Sequence, residues 1–452
     1  MIKKALIIVL LVIALFSGYF YFNLWPQLPI ANGYAAKKMC SCTFISQRTQ
    51  ESIQSEDLGF GPLAQTKTTI NRQNKSVTTS LLGMRPRTAV FRNGAGCILL
   101  KDDDDYNIDF HVDRPILRSE LSWPEGTALA DDSTFVNVDR DQLMSAIYAA
   151  FDESRNMDSL MTRAVVVIHN GQLVAEEYAN GFGPETEILG WSMTKSITAT
   201  MIGILIKNGL LNLDDTNLFE EWTDDRANIT LRDLLQMQSG LAFSETYGAI
   251  SDATNMLFNA ENISLIPKSN QLAHDPGSHW SYSSGTTNLL ARIIRDRLGN
   301  DESYWHLPYD SIFTRIGMTS PIMETDESGN FIGSSYMYAT PRDWARFGLL
   351  YLNQGNWKGT QIVDSSFVEF VRTPASASGN IYGGQFWLNA AHAAYPDVPS
   401  DLFSCNGFQG QFVFIIPSYN LVVVRMGLSE EPIFNNNNFL KEILKAFHPV
   451  EG

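Results

Sequence analysis

Several things are scarce in this chain, and each absence narrows its reading. It has only four cysteines in 452 residues, too few for a small disulfide-held scaffold. Its seven histidines contain no His-x-x-x-His pair, so no zinc-hydrolase ligand set is visible, and no Gly-rich phosphate loop occurs. Neither a metal nor an organic cofactor is expected. Basic residues are also short: 33 Lys and Arg stand against 49 Asp and Glu, a formal net charge of −16. That balance argues against a nucleic-acid partner, which needs a basic face. What remains, 44% hydrophobic with 18% charged residues, suits a globular protein with one large domain plus extensions, or two domains.

The first residues indicate where the chain goes. Lys3 and Lys4 precede a charge-free, mostly apolar run from Ala5 to Phe22. This is the layout of an export signal, and the run is close to the length that spans a bilayer. Basic residues on its N-terminal side imply that the bulk of the chain crosses the membrane. The expectation is an exported, periplasmic protein tethered to the inner membrane by residues 5–22; secretion after cleavage near Gly33 to Ala36 is the alternative. In that oxidising space Cys97 can bridge to Cys40 or Cys42, and the sequence does not choose between them. Cys40-Ser41-Cys42 is spaced too tightly for the usual zinc pair.

Three regions follow: 1–26 as signal or anchor, 27–133 as an N-terminal extension, and 134–452 as the catalytic domain. Thr68 to Ile70 and Ser76 to Thr79 read as short strands around a turn at Asn71 to Lys75. Asp102 to Asp105 lack the Gly and Glu spacing of a calcium loop and read as a solvated loop. From about Val136 the pattern is that of an α/β (α+β) protein. Ala164 to Ile168, the turn His169-Asn170-Gly171 and Gln172 to Tyr178 predict a hairpin. A buried helix is expected from Ser192 to Lys207, capped by Asn208-Gly209, and another from Thr230 to Gln238. Thr340-Pro341 opens a further helix. Gln411 to Ile416 and Leu421 to Met426 form a second hairpin, and a closing helix runs from about Phe439 to Phe447. Strands at both ends with helices between them predict one antiparallel sheet assembled from distant segments, flanked by helices.

Three stretches carry chemistry. In Gly190-Trp191-Ser192-Met193-Thr194-Lys195-Ser196, a serine and a lysine three apart on a helix share a face. A serine hydroxyl needs a base, and a lysine half buried in an apolar helix has its neutral form made available. At the first helical turn, free N–H groups favour a developing oxyanion. The second stretch, Asp275-Pro276-Gly277 through Trp280-Ser281-Tyr282-Ser283-Ser284-Gly285, delivers Tyr282. A tyrosine beside a lysine can be held partly ionised and can pass a proton to a leaving group. In the third, Cys405-Asn406-Gly407-Phe408-Gln409-Gly410, Gly407 and Gly410 at a strand edge let backbone approach a ligand closely. Gly190-x-Ser192 lacks the closing glycine of a nucleophile elbow, which excludes an α/β-hydrolase reading.

Together and in this order, the three stretches resemble the serine β-lactamase and penicillin-binding protein superfamily. The likeness spans roughly Val136 to Phe447. It is closest to the class C-like esterases and, among them, to 6-aminohexanoate-dimer hydrolases, through Gly190 to Ser196, Met237 to Leu241, Pro276 to Gly285, Gly410-Gln411, Pro417 and Leu421 to Arg425. The resemblance implies a transpeptidase-like fold with an all-helical subdomain, and Ser192 as the acylated nucleophile. Lys195 and Tyr282 would share the base and acid roles, the N–H groups of Ser192 and Phe408 would bind the oxyanion, and Tyr247 would contact substrate. Two departures stand out. Ser284 ends the Tyr-x-Asn triplet, and Cys405-Asn406 replace the Lys-Thr that holds a substrate carboxylate. Loss of that cation argues against efficient β-lactam recognition. The expected function is hydrolysis of a small ester or amide. The alternatives are a weak β-lactamase or D-alanyl carboxypeptidase and, from another class, a non-catalytic envelope binding or sensing protein.

Overall fold

A computed structural model describes residues 2–101, 108–129, 135, 137–153 and 160–450. Asp102 to Asp105 and the expected domain boundary at 133/134 lie outside the described residues.

The chain starts with an uninterrupted helical run, Ile2–Phe44. Its first part, α1 (Ile2–Tyr19), is apolar and exposed from Ile2 to Leu15, whereas α2 (Leu28–Phe44) is mostly buried. Around α2 wraps an antiparallel meander, β1 (Thr66–Asn71), β2 (Ser76–Leu81), β3 (Met84–Arg92) and β4 (Gly96–Leu100), in that order. The predicted turn between the first two strands is present. Cys40 on α2 is bonded to Cys97 on β4, while Cys42 and Cys405 are buried thiols. Two residues along a helix are about 200° apart, so Cys40 and Cys42 face opposite ways and only one can meet the strand.

The larger part of the chain, expected to be catalytic, begins with α3 (Arg140–Ala149), then the hairpin β5 (Thr162–His169) and β6 (Gln172–Tyr178). Its two-residue turn, Asn170-Gly171, has both residues at positive φ, as a tight hairpin with matched twist requires. Next come α4 (Thr194–Lys207), α5 (Ser284–Leu298) and α6 (Pro341–Leu352), with short helical pieces between the first two. The helix expected to Gln238 ends earlier: Leu231–Leu235 carries the Thr230–Asp233 capping box, and Met237 turns to positive φ. Strands β7 (Trp387–Leu388), β8 (Phe403–Gly407), β9 (Gln411–Ile416) and β10 (Leu421–Gly427) follow, and α7 (Asn436–Leu444) closes the fold. It starts three residues before the expected Phe439, because Asn435 caps it.

One six-stranded sheet unites the two ends, in the order β7-β8-β9-β10-β5-β6, with every pair antiparallel. Alternation divides its side chains between two cores. Val166 and Ile168 join α4 and α6 on one face, while Val165 and Val167 join α3 and α7 on the other. A third core combines α2 and the meander with Leu189, Trp191, Phe258, Tyr336 and Tyr338. The N-terminal extension therefore shares a core with the catalytic part. Buried charge strengthens this junction. Lys37 on α2 pairs with Glu324 at 2.9 Å, and Lys38 with Asp57 at 3.1 Å. Asp57 in turn meets Arg163 of β5 at 2.8 Å.

Candidate active site

Ser192 stands in a single 3₁₀ turn, Trp191–Met193, that feeds directly into α4. Two constraints shape this turn. A side chain at Gly190 would come within 2.3 Å of the Trp344 ring, so only glycine lets the chain pass. Trp191 is held at positive φ, an uncommon conformation for a bulky residue, and Thr194 Oγ1 donates to its carbonyl at 2.7 Å. Gly190 N also donates to Met337 O at 2.9 Å. The half-buried Ser192 is thus fixed by backbone and ring contacts on both sides.

One helical turn on, Lys195 is almost fully buried. Its Nζ donates to Ser192 Oγ at 3.2 Å, Ser284 Oγ at 3.0 Å and the Ser334 carbonyl at 2.9 Å. Ser334 is held in place by its N–H, which donates to Asn288 Oδ1 at 3.1 Å. Burial lowers the Lys195 pKa to about 8, against an opposing pull from the Glu245 carboxylate. An amine with that pKa is partly neutral near pH 7 and can accept a proton.

Tyr282 immediately precedes Ser283, the N-cap of α5, whose hydroxyl accepts from Thr286 N at 3.1 Å. The cap therefore sets where the Tyr282 ring lies: 4.8 Å from Lys195 Nζ, with its hydroxyl sharing a hydrogen bond with Ser192. Burial pushes the Tyr282 phenol well above its ordinary value. The expected partial ionisation is not what this environment favours, because desolvation outweighs any help from the lysine. The ring also packs against Tyr382 and Trp387.

The end of β8 closes the other side. A side chain at Gly407 would lie 2.1 Å from the Gly190 carbonyl, so the glycine lets β8 run against the Ser192 turn. Phe408 comes next, half exposed, its ring 5.6 Å from that of Trp191. Strand alternation then disposes of the two preceding residues. Cys405 turns into the core, hydrogen-bonds Ser196 and has its thiol pushed up to about 12 by burial. The structure does not bring the Asn406 side chain to Ser192; its partner is Tyr395, which packs with the opposite core.

One residue the sequence reading passed over is Glu245. Its Oε1 accepts from Ser284 Oγ at 2.5 Å and from Tyr247 Oη at 2.5 Å, and its Oε2 accepts from Ser284 N at 2.9 Å. Tyr247 Oη and Ser284 Oγ are 3.1 Å apart. Ser284 thus bridges Lys195 to a carboxylate. The available signal was the stretch Glu245-Thr246-Tyr247, in which residues two apart share a face of an extended chain. A second unforeseen neighbour comes from the extension: Tyr34 of α2 stacks on Trp191, ring centroids 6.1 Å apart.

Comparison with known proteins agrees with this architecture. The beta-lactamase family model matches residues 150–437. The chain belongs to the beta-lactamase family. A 6-aminohexanoate-dimer hydrolase of Paenarthrobacter ureafaciens is 22% identical over 312 residues, 62% of this chain and 76% of the relative. Among solved structures, a penicillin-binding protein homologue from Caulobacter crescentus superposes with a TM-score of 0.54 at 15% identity, covering 70% of this chain and 97% of the other. A family VIII carboxylesterase gives 0.53 at 16%, with the same coverage. The beta-lactamase-family chain is accordingly a serine hydrolase. Among its described residues, no group of three or more His, Cys, Asp or Glu is arranged to hold a metal.

Proposed function

We propose that this beta-lactamase-family chain hydrolyses a small ester or amide through an acyl-enzyme on Ser192. The observation that carries the reading is the Lys195–Ser192 contact: a buried amine of lowered pKa, 3.2 Å from the hydroxyl it would deprotonate. In the proposed sequence, Lys195 takes the Ser192 proton as Oγ attacks the substrate carbonyl carbon. The N–H groups of Ser192 and Phe408 receive the oxyanion. Collapse expels the leaving group, which takes the Tyr282 proton, and Lys195 returns a proton to the phenolate. Water then attacks the acyl-enzyme carbonyl and gives its proton to Lys195; Ser192 Oγ leaves with a proton from Tyr282, Lys195 reprotonates the phenolate, and the acid is released.

Substrate preference is inferred from the residues around Ser192. Cys405, buried and uncharged, occupies the position at which relatives that grip a substrate carboxylate carry a cation. This supports substrates without that carboxylate over β-lactams and muropeptides. Phe408 and Trp191 favour an apolar acyl group instead, and the name of the Paenarthrobacter relative supports linear amides among the candidates. Tyr247, bonded to Ser284 at the cleft, is the proposed substrate contact. Residues 5–22 are read as the membrane anchor of an exported, periplasmic enzyme, on the exposure and apolarity of α1.

A fluorophosphonate probe with peptide mapping by mass spectrometry tests the core of this reading. One adduct on Ser192 is expected, absent in Lys195→Ala. No adduct on folded protein would overturn it.

A further inference from the structure

The strands that wrap α2 have a charge unlike that of the whole molecule. No Asp or Glu occurs between Asp57 and Asp102, while seven Lys or Arg do, in a chain of net charge −16. One end of this meander adjoins the point at which the N-terminal helix emerges from its apolar run. There the β2–β3 turn, Leu82-Gly83, is bolted to α2 by the buried Asn32. The Asn32 Nδ2 donates to Met84 O at 2.9 Å and Arg85 O at 2.6 Å, and its Oδ1 accepts from Leu81 N at 2.7 Å. Arg85 reaches back along the helix, with its guanidinium 5.4 Å from the centre of the Trp25 ring. Because Thr66 pairs with Leu81, the exposed, uncharged segment Gly61–Gln65 lies at the same end.

The turn itself is the informative part. Leu82 and Gly83 both sit at positive φ, and Leu82 is 67% exposed. A tight turn of this kind favours Asn or Asp at its first position, since they tolerate the left-handed region. A leucine there is strained, costing on the order of 1 kcal/mol, and gains nothing in water. The chain thus keeps an apolar side chain where both local conformation and solvent disfavour it.

We propose that Leu82, Arg85 and Trp25 form a second membrane contact, seated in the headgroup region of an anionic bilayer that α1 crosses. This rests on reading residues 5–22 as a membrane span. Leucine would enter the interface, tryptophan would take the belt position that amphipathic aromatic rings prefer, and arginine would meet lipid phosphate. The helix continues from apolar run to buried α2 without a linker, and Asn32 and the Cys40–Cys97 bond prevent the meander from turning about it. The catalytic domain would therefore stand at a fixed height. At about 1.5 Å per residue, Tyr34, which stacks on Trp191 beside the nucleophile, lies about 15 Å along the helix from Leu24. The cleft would open close to the bilayer surface, within reach of amphiphilic esters or amides.

The test uses the full chain in vesicles of mixed zwitterionic and anionic phospholipid, with an environment-sensitive fluorophore on single introduced cysteines and quencher-bearing lipids. Leu11→Cys reports the span, Leu82→Cys the turn, and Asn74→Cys the opposite end of the meander. Strong quenching is expected at 11 and 82 and little at 74. Quenching at 11 but not at 82 overturns the second contact and leaves the anchor reading standing. Absence of quenching at both overturns the two together. Leu82→Asn, which relieves the turn, should keep or raise thermal stability in detergent while making the Arg85 region more susceptible to proteolysis on vesicles; unchanged susceptibility there would also overturn the contact.

Discussion

Glu245 and Ser284 meet twice: the carboxylate takes the Ser284 hydroxyl at 2.5 Å through one oxygen and the Ser284 amide at 2.9 Å through the other. The hydroxyl has a single proton, so in giving it to Glu245 it leaves its lone pairs for Lys195, which donates to it at 3.0 Å. The proposed base is therefore linked to a carboxylate through one directional hydroxyl. An asparagine at 284, as in relatives with the Tyr-x-Asn triplet, would present an amide to Lys195 instead.

A pH prediction follows from this link. If neutral Lys195 is the base, activity rises with pH through its pKa of about 8. The Glu245 charge favours the ammonium form and so holds that pKa up, against burial, which lowers it. The other titratable groups around the pair are Tyr282 beside the lysine, Tyr247 on the carboxylate and Tyr382 behind Tyr282. Glu245→Gln preserves shape and removes the charge. The rising limb of kcat/KM should move to lower pH. A limb that stays in place would show that Glu245 does not act on the base.

As the proposed proton donor, Tyr282 should separate substrates by leaving group. Burial keeps its phenol protonated, which suits a proton donor. An amide must be given a proton as its C–N bond breaks, whereas p-nitrophenolate leaves without one. In kcat/KM, which reports acylation alone, Tyr282→Phe is expected to slow amide hydrolysis by about 10²–10⁴-fold and p-nitrophenyl ester hydrolysis far less. Equal losses on both substrates would sink the donor role.

What could be read in the sequence was local. The Asn170-Gly171 turn, the serine and lysine on one helix face and the caps at Thr230 and Thr340 each follow from neighbours a few residues apart. What escaped depends on tertiary approach. Tyr34 reaches Trp191 across more than a hundred residues, and Glu245 meets Ser284 through a loop without a periodic pattern. The side-chain direction of Asn406 depends on strand parity, which a triplet match does not specify. Cys40 rather than Cys42 is chosen by helical phase against a strand whose position only the fold supplies.

That disulfide has its own predicted cost. It closes a loop between residues 57 apart, for which chain entropy gives about 4 kcal/mol. Because it joins α2 to β4 within the extension, the packing of the meander on α2 should weaken first. Cys97→Ser is expected to lower unfolding stability by about 2–4 kcal/mol in urea titrations of the detergent-solubilised chain. Titrations that coincide with the parent would mean that the buried Lys37–Glu324 pair and the shared core suffice without it.

Gly407 offers a steric test of the oxyanion site. An alanine methyl there would sit 2.1 Å from the Gly190 carbonyl, closer than atoms can approach, and a tight 3.1 Å from Gln411 Cβ. Since β8 is paired with β9 as far as Gly407, and with β7 at Phe403 and Ser404, relief requires the β8 end and the Ser192 turn to separate. That movement carries the Phe408 N–H away from the Ser192 N–H. Losing one oxyanion donor costs about 10²–10³ in kcat. Gly407→Ala should therefore lose about that much on p-nitrophenyl acetate while retaining its far-ultraviolet circular dichroism. Gly183→Ala is the control, because no atom lies within 4 Å of the added methyl. A fully active Gly407→Ala would remove Phe408 from the proposed oxyanion site, since the close approach that positions it would then be dispensable.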